Sequence, residues 1–278
     1  MTPRRPGFPA RLDGQARDGF ATKNIAVRAR PVTTGGRFDA NSAVGAVAGP
    51  EVPRVLAQGQ GAQFSAARER MVRRLEAQEA GNAAVLAAMR AIERHRFVDS
   101  ALVTQAYEDT SLPIGWGQTL SKPSIVARMV ALLLDGRQGG VARLGRVLEI
   151  GTGGGYQAAV LARVAAEVYS IERLRALHDR ARTKLRPLRL ATVHLLLGDG
   201  MAGYARGAPY AGIIAAAGGQ AIPQAWIDQL AVGGRIVAPT VLPGTDKQAL
   251  VVLEKTARAI NSTVLETVHF VPLNSGID

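Results

Sequence analysis

The feature that most constrains the fold is a glycine-rich turn between an apolar strand and a helix, at residues 147–157 (VLEIGTGGGYQ). The apolar run 147–150 carries one carboxylate, Glu149, and leads into four glycines within residues 151–155. An alanine-rich helical pattern follows from Tyr156. Glycine lets the backbone approach a ligand closely, so this turn predicts a binding site at the end of a strand.

From Arg146 onward, strand patterns alternate with helical patterns. This alternation predicts an α/β fold with a Rossmann-like, doubly wound, mostly parallel sheet. The last two strands are separated only by the segment TARAINS, which predicts an antiparallel hairpin at the sheet edge. The predicted strands are 147–150, 168–171, 193–197, 212–215, 235–238, 250–254 and 264–271. The predicted helices among them are 156–165, 174–185 and 223–230.

The residues before the sheet divide into two parts. Residues 1–64 are rich in Gly, Pro and Thr without sustained periodicity, which predicts a disordered basic extension. Helical patterns begin at Ser65, around Val85 and near Ser121, and the third ends at Asp135-Gly136. The predicted organisation is an extension at 1–64 and one domain at 65–278, in which a helical segment (65–140) precedes the Rossmann-like core (141–278).

Composition excludes several kinds of site. The chain has no cysteine, so it has no disulfide, no thiolate nucleophile and no zinc site with sulfur ligands. Its four histidines are scattered, and no metal site is predicted. No run of about 18 apolar residues predicts a membrane span. The net charge of +12 suggests either a nucleic-acid partner or an arginine-rich composition, and no block of like charges favours the first.

The glycine turn alone leaves the kind of ligand open. A P-loop requires a lysine after its glycines, and none follows here, so phosphate transfer through such a loop is excluded. A dinucleotide fingerprint, Gly-x-Gly-x-x-Gly/Ala, fails when counted from Gly151. It passes from Gly153, with Gly155 and Ala158 in the required places. The local string is therefore ambiguous.

The next two strand ends narrow the choice. Glu172 ends the strand VYSIE about 20 residues after the turn, where a ribose-binding carboxylate is expected. Asp199, in LLLGDG, is either an ordinary Asp-Gly turn or an acceptor for an adenine amino group. With the glycine turn, these acids suit an adenosine whose 5′ substituent carries no phosphate. We therefore predict S-adenosyl-L-methionine as the cofactor.

Over roughly residues 71–276 the sequence resembles the protein-L-isoaspartate O-methyltransferases. The segment LPIGWGQTLSKP is the most specific, because many unrelated methyltransferases share the glycine turn. The resemblance implies methylation of the abnormal carboxyl of L-isoaspartyl residues in damaged proteins or peptides, followed by closure to a succinimide. The segments that carry it are RFVD (96–99), LPIGWGQTLSKPSIVARM (112–129), VLEIGTGGGYQ, SIER (170–173), GDG (198–200), IP (222–223), GGRIVAP (233–239) and FVPL (270–273).

The resemblance also implies roles for individual residues. Ser121 is implied to be the catalytic residue that contacts the substrate carboxylate, with Gln118 and Thr119 completing the substrate site. From the sequence alone, Ser121 also suits the N-cap of the following helix, and the direction of Lys122 is open. The implied cofactor-binding residues are Glu149, Gly151, Thr152, Gly153, Gly155, Tyr156, Glu172, Asp199 and Gly200.

One position departs from the family pattern. Ala211 follows Pro-Tyr where the family usually has Asp, and we expect the change to remove a carboxylate near the cofactor crevice. The expected setting is a cytoplasmic monomer that acts on damaged proteins or peptides, without nucleic acid or membrane. Two alternatives stay open: a tRNA or other nucleic-acid methyltransferase, favoured by the net charge, and a catalytically degenerate binding protein.

Overall fold

The computed structural model of the protein describes residues 54–135 and 143–278, with side chains from residue 61 onward. Most of the predicted extension and the predicted boundary at residue 140 lie outside these ranges. The helices are α1 (Arg54–Ala77), α2 (Ala83–Ala91), α3 (Pro123–Leu134), α4 (Tyr156–Val164), α5 (Arg175–Leu185) and α6 (Gln224–Gln229). The strands are β1 (Leu112–Gly115), β2 (Gln118–Leu120), β3 (Leu144–Ile150), β4 (Ala165–Glu172), β5 (Val193–Leu197), β6 (Tyr210–Ala215), β7 (Leu230–Val241), β8 (Gln248–Lys255) and β9 (Ile260–Val268).

Seven of these strands form one sheet, in the order β5–β4–β3–β6–β7–β8–β9. The strands from β5 to β7 are parallel, while β8 and β9 are antiparallel at one edge. The predicted fold class is therefore confirmed, including the edge hairpin and the preceding helical segment. The chain runs outward from β3 through β4 to β5 and then returns to the other side of β3 as β6. Ligands bind at such a reversal, beyond the carboxyl ends of the strands.

Close packing holds the start of α4 against this reversal. Ala158, Ala159 and Val160 are completely buried, and α4 packs on α2 and on β4. Met129 and Val130 of α3 belong to the same hydrophobic core. Small side chains let a helix lie close to a sheet, and close-packed interiors leave little room for movement. The glycine turn that joins β3 to α4 is thus fixed at both ends.

The first helix starts earlier than predicted. It begins at Arg54, so Ser65 lies inside the helix and residues 54–64 are helical. Alanine and glutamine, which favour helices, are frequent in this stretch, and Phe64 packs against the hydrophobic core. No helix in the described ranges combines the length and the apolarity needed to cross a bilayer.

Two features around the sheet also differ from the prediction. The last strand spans Ile260–Val268 rather than 264–271, because its pairing with β8 begins at residue 260. In addition, the connection before Ser121 contains an antiparallel hairpin, β1–β2, that the sequence pattern missed. Its turn at Trp116 has positive φ, as do the two flanking glycines. This hairpin carries most of the family-specific segment.

Candidate active site

The glycine turn adopts backbone angles that need glycine. Gly151, Gly153 and Gly155 have φ values of +87°, +54° and +91°. The amide of Gly151 donates to the Ile171 carbonyl at 2.9 Å, which ties the turn to the end of β4. Gly151 and Gly153 line a crevice at the reversal point. Gly155 does not: a Cβ there would lie 3.0 Å from Leu185 Cδ1, so this glycine allows close packing on α5.

Glu172 stands at the end of β4, beside the turn. Its side chain lines the crevice, although the residue is only 5% exposed. Its Oε2 accepts a hydrogen bond from the Gly153 amide at 2.8 Å, and its Oε1 accepts one from the Leu174 amide at 3.0 Å. A carboxylate offers about four acceptor sites. Glu172 therefore orders the turn and keeps acceptor capacity for a ligand.

Glu149 lies beneath the turn rather than in the crevice. It is fully buried, and its Oε2 accepts a hydrogen bond from Ser170, whose hydroxyl lies 2.6 Å from Thr152 Oγ1. Burial raises the pKa of Glu149 to about 8, with a smaller push in the same direction from the Glu172 carboxylate, while the bond from Ser170 opposes it. Glu149 is therefore mainly protonated at neutral pH. It supports Thr152, which does line the crevice.

The two residues predicted at the end of β5 are placed differently from each other. Asp199 accepts hydrogen bonds from the amides of Met201 and Gly276, both at 2.8 Å, and it lines a separate cavity. Gly200 lines the crevice, and its carbonyl accepts the indole N–H of Trp226 at 2.8 Å. The glycine backbone, rather than the carboxylate, thus forms this part of the wall.

The predicted substrate residues Gln118, Thr119 and Ser121 line the same crevice as the glycine turn. They follow the tip of the β1–β2 hairpin, and Ile114 of this hairpin lies beside the glycine turn, since a Cβ at Gly153 would be 3.3 Å from Ile114 Cδ1. Arg180 of α5 holds this hairpin, since its Nη1 donates to the Ile114 carbonyl at 2.7 Å. The structure therefore brings the predicted substrate residues and the predicted cofactor residues of the glycine turn to one crevice.

The predicted N-cap role of Ser121 is wrong. Helix α3 begins at Pro123 and its cap position is Lys122, whose side chain makes no capping hydrogen bond. Asp109 caps the helix instead, because its Oδ1 accepts the Ser124 amide proton at 2.8 Å. The Ser121 hydroxyl is thus not used as a cap.

A buried arginine fixes the backbone at Ser121. Arg94 is 0% exposed; its Nε donates to the Ala106 carbonyl and its Nη2 to the Ser121 carbonyl, both at 2.8 Å. Its guanidinium carbon lies 4.8 Å from the ring centroid of Tyr156, which lines the crevice. Burial lowers the pKa of Arg94. Arg94 therefore connects the substrate segment to the first residue of α4.

A second cavity adjoins the crevice. Thr119, Ser121, Ala216 and Val271 line both, so they form the wall between the two spaces. Lys122, whose direction the sequence left open, lines the second cavity and does not line the crevice. Ser121 is thus placed between two spaces, one beside the glycine turn and one beside Lys122.

Comparison with a family model and with related sequences identifies the family of this chain. The family model described as protein-L-isoaspartate(D-aspartate) O-methyltransferase matches residues 66–278. The chain belongs to this family. Proteins named protein-L-isoaspartate O-methyltransferase from Leptothrix cholodnii and Ralstonia nicotianae are 58% and 50% identical to it. These matches cover 81% and 85% of this chain and 78% of each relative.

Solved structures give the same fold. A protein-L-isoaspartate O-methyltransferase structure aligns with a TM-score of 0.68 at 27% identity, over 76% of this chain and 67% of its own. A family member from Plasmodium falciparum, solved in complex with S-adenosyl-L-homocysteine, aligns with a TM-score of 0.64 over 74% of this chain and 98% of its own. The second is 19% identical and supports the fold alone.

Ala211, the departure from the family pattern, does not line the crevice, contrary to our expectation. Ala211 is the second residue of β6, and the next residue, Gly212, pairs with Val147 near the middle of β3. The crevice lies at the other end of β6, where Ala216 and Ala217 line it. The expectation was wrong because Ala211 precedes the predicted strand 212–215, whereas ligands bind beyond the carboxyl ends of parallel strands.

Sequence reasoning missed a C-terminal part of the site. Residues 271–274 line the crevice. The Gly218 amide donates to the Val271 carbonyl at 2.8 Å, and the Leu273 amide donates to the Gly218 carbonyl at 2.9 Å, so this segment runs beside the end of β6. The motif FVPL was the available signal, and it lacks an ionisable side chain that would indicate a site.

Proposed function

We propose that this family member transfers the methyl group of S-adenosyl-L-methionine to the free carboxylate of L-isoaspartyl residues in damaged proteins or peptides. One observation carries the proposal: Thr119 and Ser121, in the family-specific segment, line the same crevice as Glu172 and the glycine turn. A cofactor on one side of the crevice would thus meet a carboxylate on the other. The names of relatives that are 50–58% identical support the same activity.

The crevice fits an adenosyl cofactor that has no phosphate. Glu172 has acceptor capacity beyond its two backbone amides, so it can accept hydrogen bonds from both hydroxyls of a ribose. Among the described residues that line the crevice, Arg173 is the single cation. Its guanidinium already donates to the Gly276 carbonyl and the Asp278 carboxylate. A phosphate would find no unpaired cation among those residues.

The predicted cofactor residues then separate into two groups. Gly151, Thr152, Gly153, Tyr156, Glu172 and Gly200 form the crevice wall and would contact the cofactor directly. The other three do not line the crevice. Glu149 accepts a hydrogen bond from Ser170, and Gly155 allows close packing on α5. Asp199 accepts hydrogen bonds from two backbone amides.

The residues present suit methyl transfer by positioning. The bound cofactor supplies a sulfonium methyl that needs no further activation. A carboxylate is ionised at about pH 7, so no general base is required. Ser121 would donate its hydroxyl proton to one carboxylate oxygen and aim the other at the methyl group, while Thr119 limits its movement. The product ester closes when the next backbone nitrogen attacks its carbonyl and methanol leaves, giving a succinimide.

A substrate comparison tests the activity. The protein is incubated with methyl-labelled cofactor and an isoaspartyl peptide, its normal aspartyl twin, or tRNA. We expect base-labile label on the isoaspartyl peptide alone, because an ester hydrolyses in base and an N-methyl group does not. Label on tRNA would support the nucleic-acid alternative suggested by the net charge of +12. No label on any substrate would support a degenerate binding protein.

Ser121→Ala tests the serine within that activity. We expect kcat/KM for the isoaspartyl peptide to fall at least about tenfold, because one hydrogen bond to a charged group contributes about 1.5–3 kcal/mol. Cofactor affinity should change little. Ser124→Ala is the matched control, since Ser124 lines neither the crevice nor the second cavity. An equal loss of turnover and cofactor affinity would contradict the role.

We also propose that the protein works as a monomer in the cytoplasm and without nucleic acid. The cysteine-free composition fits a reducing compartment. Light scattering after size-exclusion chromatography should give the mass of one chain, 29.3 kDa. Cell fractionation should place the protein in the cytoplasmic fraction.

A further inference from the structure

We propose that the second cavity selects isoaspartyl sites with acidic neighbours in the substrate chain. The inference rests on the proposed function, because it assigns the residues that flank the isoaspartate to a cavity next to the proposed methyl-transfer site. The groups that carry it are Lys122, Lys247 and His269, which we call the basic rim.

The cavity adjoins the place where the substrate carboxylate would lie. Its wall with the crevice contains Thr119 and Ser121. A peptide carboxylate that reaches Ser121 belongs to a chain that continues on both sides, and the crevice itself is used by the cofactor. Thr267 and Ser111 also line the cavity and offer hydroxyls to a peptide backbone. The space therefore suits an extended polar segment.

The charge of the cavity is positive. Lys122 and Lys247 each bring one ammonium group, and the imidazole of His269 lies on the same rim. Asp246 is the one carboxylate among the lining residues. In the part of the chain that the structure describes, none of these four side chains forms an ion pair. Their charges are available to a bound segment.

Two hydrogen bonds from the Gln248 side chain to the Phe270 backbone hold two stretches of the basic rim together. The side chain of Gln248 accepts the Phe270 amide proton at 2.8 Å and donates to the Phe270 carbonyl at 3.2 Å. Gln248 also pairs with Val268 in the antiparallel β8–β9 ladder. These contacts bring the stretch that contains Lys247 next to the stretch that contains His269.

The same geometry keeps the rim away from the reacting carboxylate. Lys122 follows Ser121 directly but does not line the crevice. The target carboxylate therefore meets the neutral hydroxyl, and the ammonium group faces the flanking residues. An acidic residue next to the isoaspartate is therefore attracted to the basic rim, while the charge around the reacting atoms stays the same.

Three isoaspartyl peptides test the proposal, identical except for Glu, Gln or Lys on both sides of the isoaspartate. At about 0.02 M salt we expect kcat/KM to fall in that order, by about three- to tenfold at each step, mainly through KM. At about 0.5 M salt the differences should shrink, since exposed charges are then screened. The double variant Lys122→Gln/Lys247→Gln should bring the Glu-to-Lys ratio close to one.

Arg258→Gln is the control for the overall positive charge. Arg258 is exposed and lines neither cavity, so this variant should keep the full ratio. Equal kcat/KM for all three peptides, with each of them methylated, would overturn the inference and leave the proposed function intact. A ratio that survives in the double lysine variant would also overturn it. If no peptide were methylated, both the inference and the proposed function would be wrong.

Discussion

Replacing Glu149 by glutamine should make the stability of the protein less sensitive to pH. Burial raises the pKa of this carboxyl from 4.5 to about 8 in the folded protein. The folded state therefore keeps a proton that the unfolded state releases, so the free energy of unfolding falls as pH rises from about 4.5 to about 8. At about 1.36 kcal/mol per unit, the loss is about 3 kcal/mol at pH 7 and about 5 kcal/mol above pH 8.

The amide of Glu149→Gln stays neutral in both states and removes this loss. A buried N–H left without an acceptor would cost about 1–3 kcal/mol, but that cost does not vary with pH. The diagnostic quantity is therefore the pH dependence of the difference between variant and wild type. Urea unfolding between pH 4.5 and 8.5 should show this difference growing by about 3–5 kcal/mol in favour of the variant.

A matched control is available in Glu266→Gln. Glu266 is an exposed partner of Arg128 at 3.2 Å, and its replacement should change stability by less than about 1 kcal/mol. If the Glu149→Gln difference stays constant within about 1 kcal/mol over the whole pH range, the carboxyl is ionised in the folded protein. The argument from burial would then be refuted.

The other predictions concern the crevice. Arg94→Met leaves the carbonyls of Ala106 and Ser121 without their donor and should lower the free energy of unfolding by about 2–6 kcal/mol in urea titrations, at about 1–3 kcal/mol for each unpaired acceptor; a loss under about 1 kcal/mol would contradict the role. Gly200→Ala places a methyl group 2.6 Å from Ile150 Cγ2 and should weaken cofactor binding at least about tenfold by calorimetry, whereas Gly198→Ala meets only a 3.6 Å contact and should bind normally. Glu172→Ala should weaken cofactor binding by about tenfold or more, and unchanged affinity would remove the ribose role.

The cofactor half of the site was predictable because its spacing follows from local geometry. A strand, a tight turn and a helix of ordinary length place the end of the next strand about 20 residues further on, which located Glu172. Positive φ values at the turn require glycine, so the sequence shows the turn directly. The spacing and the turn both depend on residues close together in the sequence, so a sequence pattern can predict them.

The remaining parts depend on contacts between distant residues. The cap of α3 comes from Asp109, which precedes the helix by a full hairpin, so Ser121 was the nearer and wrong candidate. Arg94 donates to the backbone carbonyls of Ala106 and Ser121. Every residue has such a carbonyl, so the sequence does not show which ones Arg94 binds. The error at Ala211 was different, since the predicted strand 212–215 already placed this residue at the amino end, away from the carboxyl ends where ligands bind.

The distribution of charge around Ser121 fits the chemistry of the proposed reaction. Attack of a carboxylate on a sulfonium methyl removes both charges, so a cation that gripped the carboxylate would stabilise the ground state more than the transition state. In the structure, the buried cation Arg94 is directed at carbonyls, and Arg173 is paired with the side-chain carboxylate of Asp278. Lys122 faces the second cavity. In the proposed reaction, neutral donors would therefore meet the reacting carboxylate, while the unpaired positive charge would attract an acidic chain without slowing the transfer.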